Sequence, residues 1–147
     1  TMASTVPTSC IQTESTVLAV PIEKAWKSFR ALKLDALAPE YVVKTTQTHP
    51  GDESIVDIKY TDALWKVRIT ELSDRNCTVA YEVIETEPPT TCTSVEGEIV
   101  LQKVTETNQT FLKWTTVYSN DVDAQVVADQ KYKKLDFFKA FQKSLAA

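Results

Sequence analysis

The sequence predicts an α+β domain: a curved antiparallel sheet of seven strands, two short helices after the first strand, and one long C-terminal helix. Three observations predict it. Six successive segments between 41 and 119 follow a period of two, the signature of strands with one buried face. Turn residues near 50, 62 and 75 lie 12 to 13 positions apart, the spacing of an antiparallel meander. From about 122 to 145 runs one amphipathic helix, the only element long enough to cover a sheet face.

Each element has its own warrant. Residues 1–9 (TMASTVPTS) are small, polar and unpatterned, so a loose tail is expected, with a single domain over 10–147. CIQTESTVLAV (10–20) reads as the first strand. Pro21 suits the first turn of a helix, and IEKAWKSFRAL gathers Ile22, Ala25, Trp26 and Phe29 on one face. KLDALAPEYV holds a second short helix that Pro39 breaks.

Strands follow at 41–48, 53–60, 63–72, 77–85, 93–104 and 110–119. HPGD (49–52), Thr61-Asp62, SDRN (73–76) and the residues around Asn108 are turns, and paired prolines in EPPTT (87–91) exclude a central strand there. Trp65, Val67 and Ile69 face one way, and Lys66, Arg68 and Thr70 the other. Val79, Tyr81 and Val83 share a face, as do Leu112, Trp114, Thr116 and Tyr118. Arg68 and Glu82 fall outward, as solvated or cross-strand paired charges. Gly97 could mark a bulge that flips the parity of Glu96 and Glu98. The long helix has Asn120 or Asp121 as N-cap, and its stripe is Val127, Lys131, Leu135 and Phe138, continued by Phe141 and Leu145.

Composition excludes several functions. The chain of 147 residues is 43% hydrophobic and 24% charged with net charge −4, and it has no basic run, so nucleic acid is not an expected partner. No apolar run is long enough for a transmembrane segment, and no secretory signal is evident. Cys10, Cys77 and Cys92 are an odd number without C-x-x-C spacing, which reads as reduced thiols and a cytoplasmic location. His49 is the only histidine and has no ligand cluster, so no metal is expected. With Gly51 and Gly97 the only glycines, nearly every glycine-rich phosphate cradle is excluded, and no cofactor is expected.

In STVLAVPIEKAW, ELSDRNCTVAYEVIE and FLKWTTVYS, and in the order of its elements over about residues 11–146, the chain resembles the START-like superfamily. This group, also called SRPBCC, includes the birch-pollen allergens, abscisic-acid-type hormone receptors, and the polyketide cyclase/lipid-transport proteins. The chain is read as nearest to the last of these. It departs from the allergens at THPGDESIV, which has one glycine where they carry a glycine-rich loop, and it lacks the Gly-x-Val-Gly of the cyclase-like group.

The resemblance implies a helix-grip fold with an apolar cavity between sheet and long helix. Carried over, Trp65, Val67, Tyr81, Val83, Trp114, Thr116 and Tyr118 would line the cavity from the sheet. Val127, Lys131, Leu135 and Phe138 would line it from the helix. The residue types agree, because indole N–H and phenol O–H groups need partners that a solid apolar core does not offer. Plain core packing is the competing account. Lys131 would hold a ligand anion or act in catalysis, unless its stem reaches solvent. The expected function is binding or transport of a small hydrophobic molecule (lipid, sterol, phenolic or polyketide). The alternatives are a cyclase or isomerase in the same cavity and a co-chaperone-like module with a protein partner. Only Lys131, Tyr81 and Tyr118 offer acid–base chemistry, so the reading leans away from an enzyme.

Overall fold

Seven strands form one antiparallel sheet in the order β1-β7-β6-β5-β4-β3-β2. In chain order the elements of this computed structural model are β1 (Ile11–Leu18), α1 (Ile22–Phe29), α2 (Leu34–Leu37), β2 (Val42–Thr46) and β3 (Ile55–Tyr60), followed by β4 (Leu64–Ser73), β5 (Thr78–Glu87), β6 (Val95–Val104), β7 (Gln109–Tyr118) and α3 (Ala124–Ala146). The structure describes residues 10–46, 54–90 and 92–146. The expected tail at 1–9 and the turn with His49 and Gly51 lie outside the described residues.

The connectivity follows from the sequence pattern. β2 to β7 form a meander, each strand antiparallel to the next. β1 pairs with β7 from Ile11↔Val117 to Leu18↔Thr110 and makes the far edge. β1 and β2 are therefore opposite edges of the sheet, and α1 and α2 carry the chain between them. Pro21, with φ −63°, opens α1, which buries Ala25, Trp26 and Phe29. Asp74 in the β4–β5 turn ties α1 down. It accepts from Trp26 Nε1 at 2.8 Å and from Arg30 Nε and an Arg30 terminal nitrogen at 2.8 and 3.0 Å. The Arg30 and Trp26 bonds hold the Asp74 carboxyl down at about 2. The curled sheet packs its inner face against α3.

Outward pairs form where alternation requires them. Arg68 lies opposite Glu82 and reaches it at 3.1 Å, and Lys66 reaches Glu85 at 3.5 Å. Gly97 is not a bulge. The β5–β6 and β6–β7 registers run through it without a shift, with Tyr81 and Thr116 as its partners. Its missing side chain makes room for an aromatic ring: a Cβ there would lie 2.2 Å from Tyr81 Cζ.

The long helix is capped two to three residues later than the sequence suggests. Asp123, rather than Asn120 or Asp121, receives the Gln125 amide at 2.8 Å, and its carbonyl accepts from Val126 and Val127. The helix phase also differs. α3 buries Lys134, Phe137, Phe138, Ala140, Phe141 and Leu145, while Lys131 and Leu135 point outward. Helical geometry explains this. Two steps of four, from 127 to 135, rotate about 80° off the starting direction, whereas seven residues, from 127 to 134, return to within about 20° of it.

Phe141 and Phe29, both fully buried, meet edge to face at 5.2 Å at the centre of the core. Phe137, Phe141 and Trp114 of the sheet form a triangle of near-parallel rings, with centres 6.0, 6.1 and 6.4 Å apart.

Candidate functional site

β7 carries Trp114, Thr116 and Tyr118 at alternate positions, so all three side chains meet the inner face. Strand register sets a row across the sheet. Gln12 of β1 lies opposite Thr116, Thr116 opposite Gly97, and Gly97 opposite Tyr81. Because Gly97 has no side chain, the Tyr81 ring lies down over it. The Tyr81 hydroxyl then accepts from Trp114 Nε1 at 3.0 Å. Above this row α3 supplies Val126, Gln130, Lys133, Lys134 and Phe137. Tyr60 of β3 and Trp65 of β4 form one wall, their rings packed edge to face at 5.7 Å. Thr90, Cys92 and Val95 complete the opposite end.

Between these groups lies a cavity. Counting the mouth that opens to solvent, the empty space totals about 620 Å³, and the centres of water-sized spheres can occupy about 50 Å³ of it. The smaller figure limits what fits without movement, and it corresponds to a few waters.

The polar groups are few and tightly linked. Lys134 is 3% exposed. Its ammonium lies 5.3 Å from the centre of the Trp114 ring and 3.5 Å from Gln12 Oε1. The same Gln12 oxygen accepts from the Tyr118 hydroxyl at 3.0 Å, and Gln12 Nε2 donates to the Val127 carbonyl at 2.8 Å. Burial draws the Lys134 amine down to about 8, opposed by the charge of Glu14 on β1. Burial pushes the phenols the other way: Tyr81 up to about 12, against its hydrogen bond from Trp114, and Tyr60 and Tyr118 higher still. Thr116 Oγ1 is buried, and among the described residues it has no hydrogen-bonding partner.

Of the residues expected at the site, the structure brings Trp65, Tyr81, Trp114, Thr116 and Tyr118 to the cavity wall. Val67 is fully buried in the core outside the wall, and Phe138 belongs to the core as well. Val83 is half-buried and packs against both apolar clusters. Val127 contributes its backbone carbonyl to Gln12 rather than its side chain to the wall. Lys131 and Leu135 are on the solvent side of α3, so the buried lysine is Lys134. Sequence reasoning missed Gln12, although it shares an alternation with Leu18, the deeply buried end of β1. It also missed Tyr60, one residue before a turn, and the lining loop around Cys92.

No protein-family model and no curated protein sequence matches the chain. Solved structures do match in shape. The protein XoxI from Bacillus cereus superposes with a TM-score of 0.79 at 18% identity, covering 92% of this chain and 95% of that one. Ara h 8.0201 gives 0.73 at 15% identity, with 92% and 97% covered. A START superfamily protein from Mycobacterium smegmatis gives 0.72 at 9% identity, with 92% and 97% covered. At such identities the likeness concerns the fold alone. With its curled seven-stranded sheet closed by a C-terminal helix, the chain has the START-like helix-grip fold.

Proposed function

We propose that the protein binds a small hydrophobic molecule between the sheet and α3, as a carrier or sensor. The observation that carries this reading is Thr116, a buried hydroxyl without a hydrogen-bonding partner among the described residues, on the wall of a mainly apolar cavity. An unpaired buried hydroxyl is costly in a packed core, and an occupant relieves it. The aromatic wall of Tyr60, Trp65, Trp114 and Phe137 favours a flat or slender apolar body. The enclosed volume requires α3 or the Phe137 side chain to shift as a larger body enters. No helix among the described residues is long and apolar enough to cross a membrane. Three free cysteines fit a reducing, cytoplasmic setting.

The test is native mass spectrometry of freshly purified protein, followed by organic extraction and titration with an apolar fluorescent probe. A co-purifying lipid or aromatic, or probe binding that Trp114→Ala weakens, supports the reading. A bare mass and no probe binding would overturn it and turn attention to a protein partner.

A second reading, a cyclase or isomerase in the same cavity, is favoured by the lowered Lys134 amine, which can exchange a proton near neutral pH. The raised phenols of Tyr81 and Tyr118 weigh against it, because they supply no base to complement the lysine. Turnover of a polyketide-like substrate that Lys134→Met abolishes would establish it.

A further inference from the structure

The polar groups of the cavity are unbalanced, and the imbalance defines an occupant. Lys134 carries three N–H donors. Its one hydrogen bond among the described residues is the 3.5 Å contact to Gln12 Oε1. That oxygen already accepts from Tyr118 at 3.0 Å. The Tyr81 hydroxyl accepts from Trp114, which leaves its own proton to give. Thr116 Oγ1 has no partner among the described residues. The cavity thus has donors to spare from α3, β5 and β7, and the Gln12 oxygen that lies among them is already engaged twice, while the side-chain amide of Gln130 also lines the wall. A neutral apolar occupant would leave these donors unpaired, and a cation would face the ammonium.

We propose that the cavity binds an organic carboxylate, its anionic head against Lys134 and Thr116 and its apolar body against Trp114, Phe137 and Tyr60. This rests on the ligand-binding reading above and names the class of ligand. The volumes agree with such a molecule. The empty space of about 620 Å³, mouth included, takes a slender acid once α3 or Phe137 shifts. Lys133, 5.9 Å from the centre of the Tyr60 ring, adds a second positive charge on the wall. A carboxylate inside also relieves two costs: an ammonium out of water with one long hydrogen bond, and a hydroxyl unpaired among the described residues.

The titratable groups around the ammonium are Tyr81, Tyr118, Tyr60, Cys92 and Lys133 on the wall and Glu14 on β1. The phenols and the Cys92 thiol are all pushed upward by burial, so they stay neutral through the range in which Lys134 loses its proton. Carboxylate affinity therefore falls as pH rises past about 8.

The experiment compares a series of ω-phenylalkanoates, from phenylacetate to phenylpentanoate, with their primary amides. Binding is read at pH 7 and pH 9.5 by calorimetry and by the NMR signal of the Trp114 indole N–H. The expected result is a preference of about tenfold or more for acid over amide at pH 7. That preference collapses in Lys134→Met, shrinks in Thr116→Val and narrows at pH 9.5, while the amides bind all forms alike. Equal binding of acids and amides by the wild type would overturn the carboxylate proposal and leave the hydrophobic cavity standing. An acid preference that survives in Lys134→Met would overturn the assignment of the headgroup to this lysine. Failure of both series to bind would overturn this proposal, and the apolar probe would then decide the broader reading.

Discussion

Replacing Lys134 by methionine is expected to stabilise the protein at neutral pH. The lysine amine falls from 10.5 to about 8 on folding, chiefly through burial. That difference corresponds to roughly 3 kcal/mol by which the folded state disfavours the ammonium. Methionine has a similar length and no charge, so it removes this penalty and keeps the packing against Trp114. It also removes the cation–π contact at 5.3 Å and the long hydrogen bond to Gln12. Together these offset about 1–2 kcal/mol. The net gain at pH 7 is about 1–2 kcal/mol, or roughly 2–8 °C in Tm for a domain of this size. The sign of the pH dependence follows from proton counts. Between about 8 and 10.5 the unfolded chain holds the lysine proton and the folded chain does not, so wild-type stability rises with pH across that window. The advantage of the variant therefore shrinks from pH 7 to pH 9.5. Above about 10 the buried tyrosines act in the opposite sense, because they ionise only after unfolding. Urea unfolding of both proteins at pH 7 and 9.5 measures the effect. A variant less stable than wild type at pH 7, or a difference that does not change with pH, would refute the argument that the ammonium is held in an apolar site.

Other substitutions test the rest of the framework. Gly97→Ala places a Cβ 2.2 Å from Tyr81 Cζ, so the ring must move; a loss of about 1–3 kcal/mol and a shifted Trp114 indole N–H resonance are expected, and no shift would contradict the Tyr81–Trp114 bond. Thr110 is fully buried and its hydroxyl donates to the Val20 carbonyl at 2.8 Å, so Thr110→Val should cost about 1–2 kcal/mol in urea unfolding. The Asp121 carboxylate accepts from the Ser119 hydroxyl and from the Thr93 amide and hydroxyl, which hold it at about 2. Its contribution is complete above the ordinary aspartate range and is lost as pH falls toward 2, so Asp121→Asn should flatten the acid limb of a stability–pH curve between about pH 4 and 2.

Most of the fold is legible in the residues, and most of the site is not. Alternation in 110–119 identifies the inner face of β7 because a strand has only two faces, so Trp114, Thr116 and Tyr118 could not be misplaced without shifting the whole strand. Proline and turn residues punctuate the strands, and Pro39 ends the second helix where expected, with α2 finishing at Leu37. Order and type of elements follow from such local rules. A helix face is a finer matter. Lys131, Lys133 and Lys134 are chemically equivalent in the sequence, and their directions differ by steps of about 100°. Which of them is buried depends on how Phe137, Phe138 and Phe141 dock on the sheet, and that is settled by packing against Phe29 and Trp114. The same holds for Gln12 and Tyr60. Each is an ordinary strand residue until β1 pairs with β7 across 92 to 106 positions, or β3 curls toward α3. Period and turn chemistry are properties of neighbours in the chain, so the sequence by itself determined the strands, the helices and their order. The donor-rich cavity is a property of residues distant in the chain, and only the tertiary structure decided which side chains share it, because burial and hydrogen-bond partnership exist only after the sheet has closed on the helix.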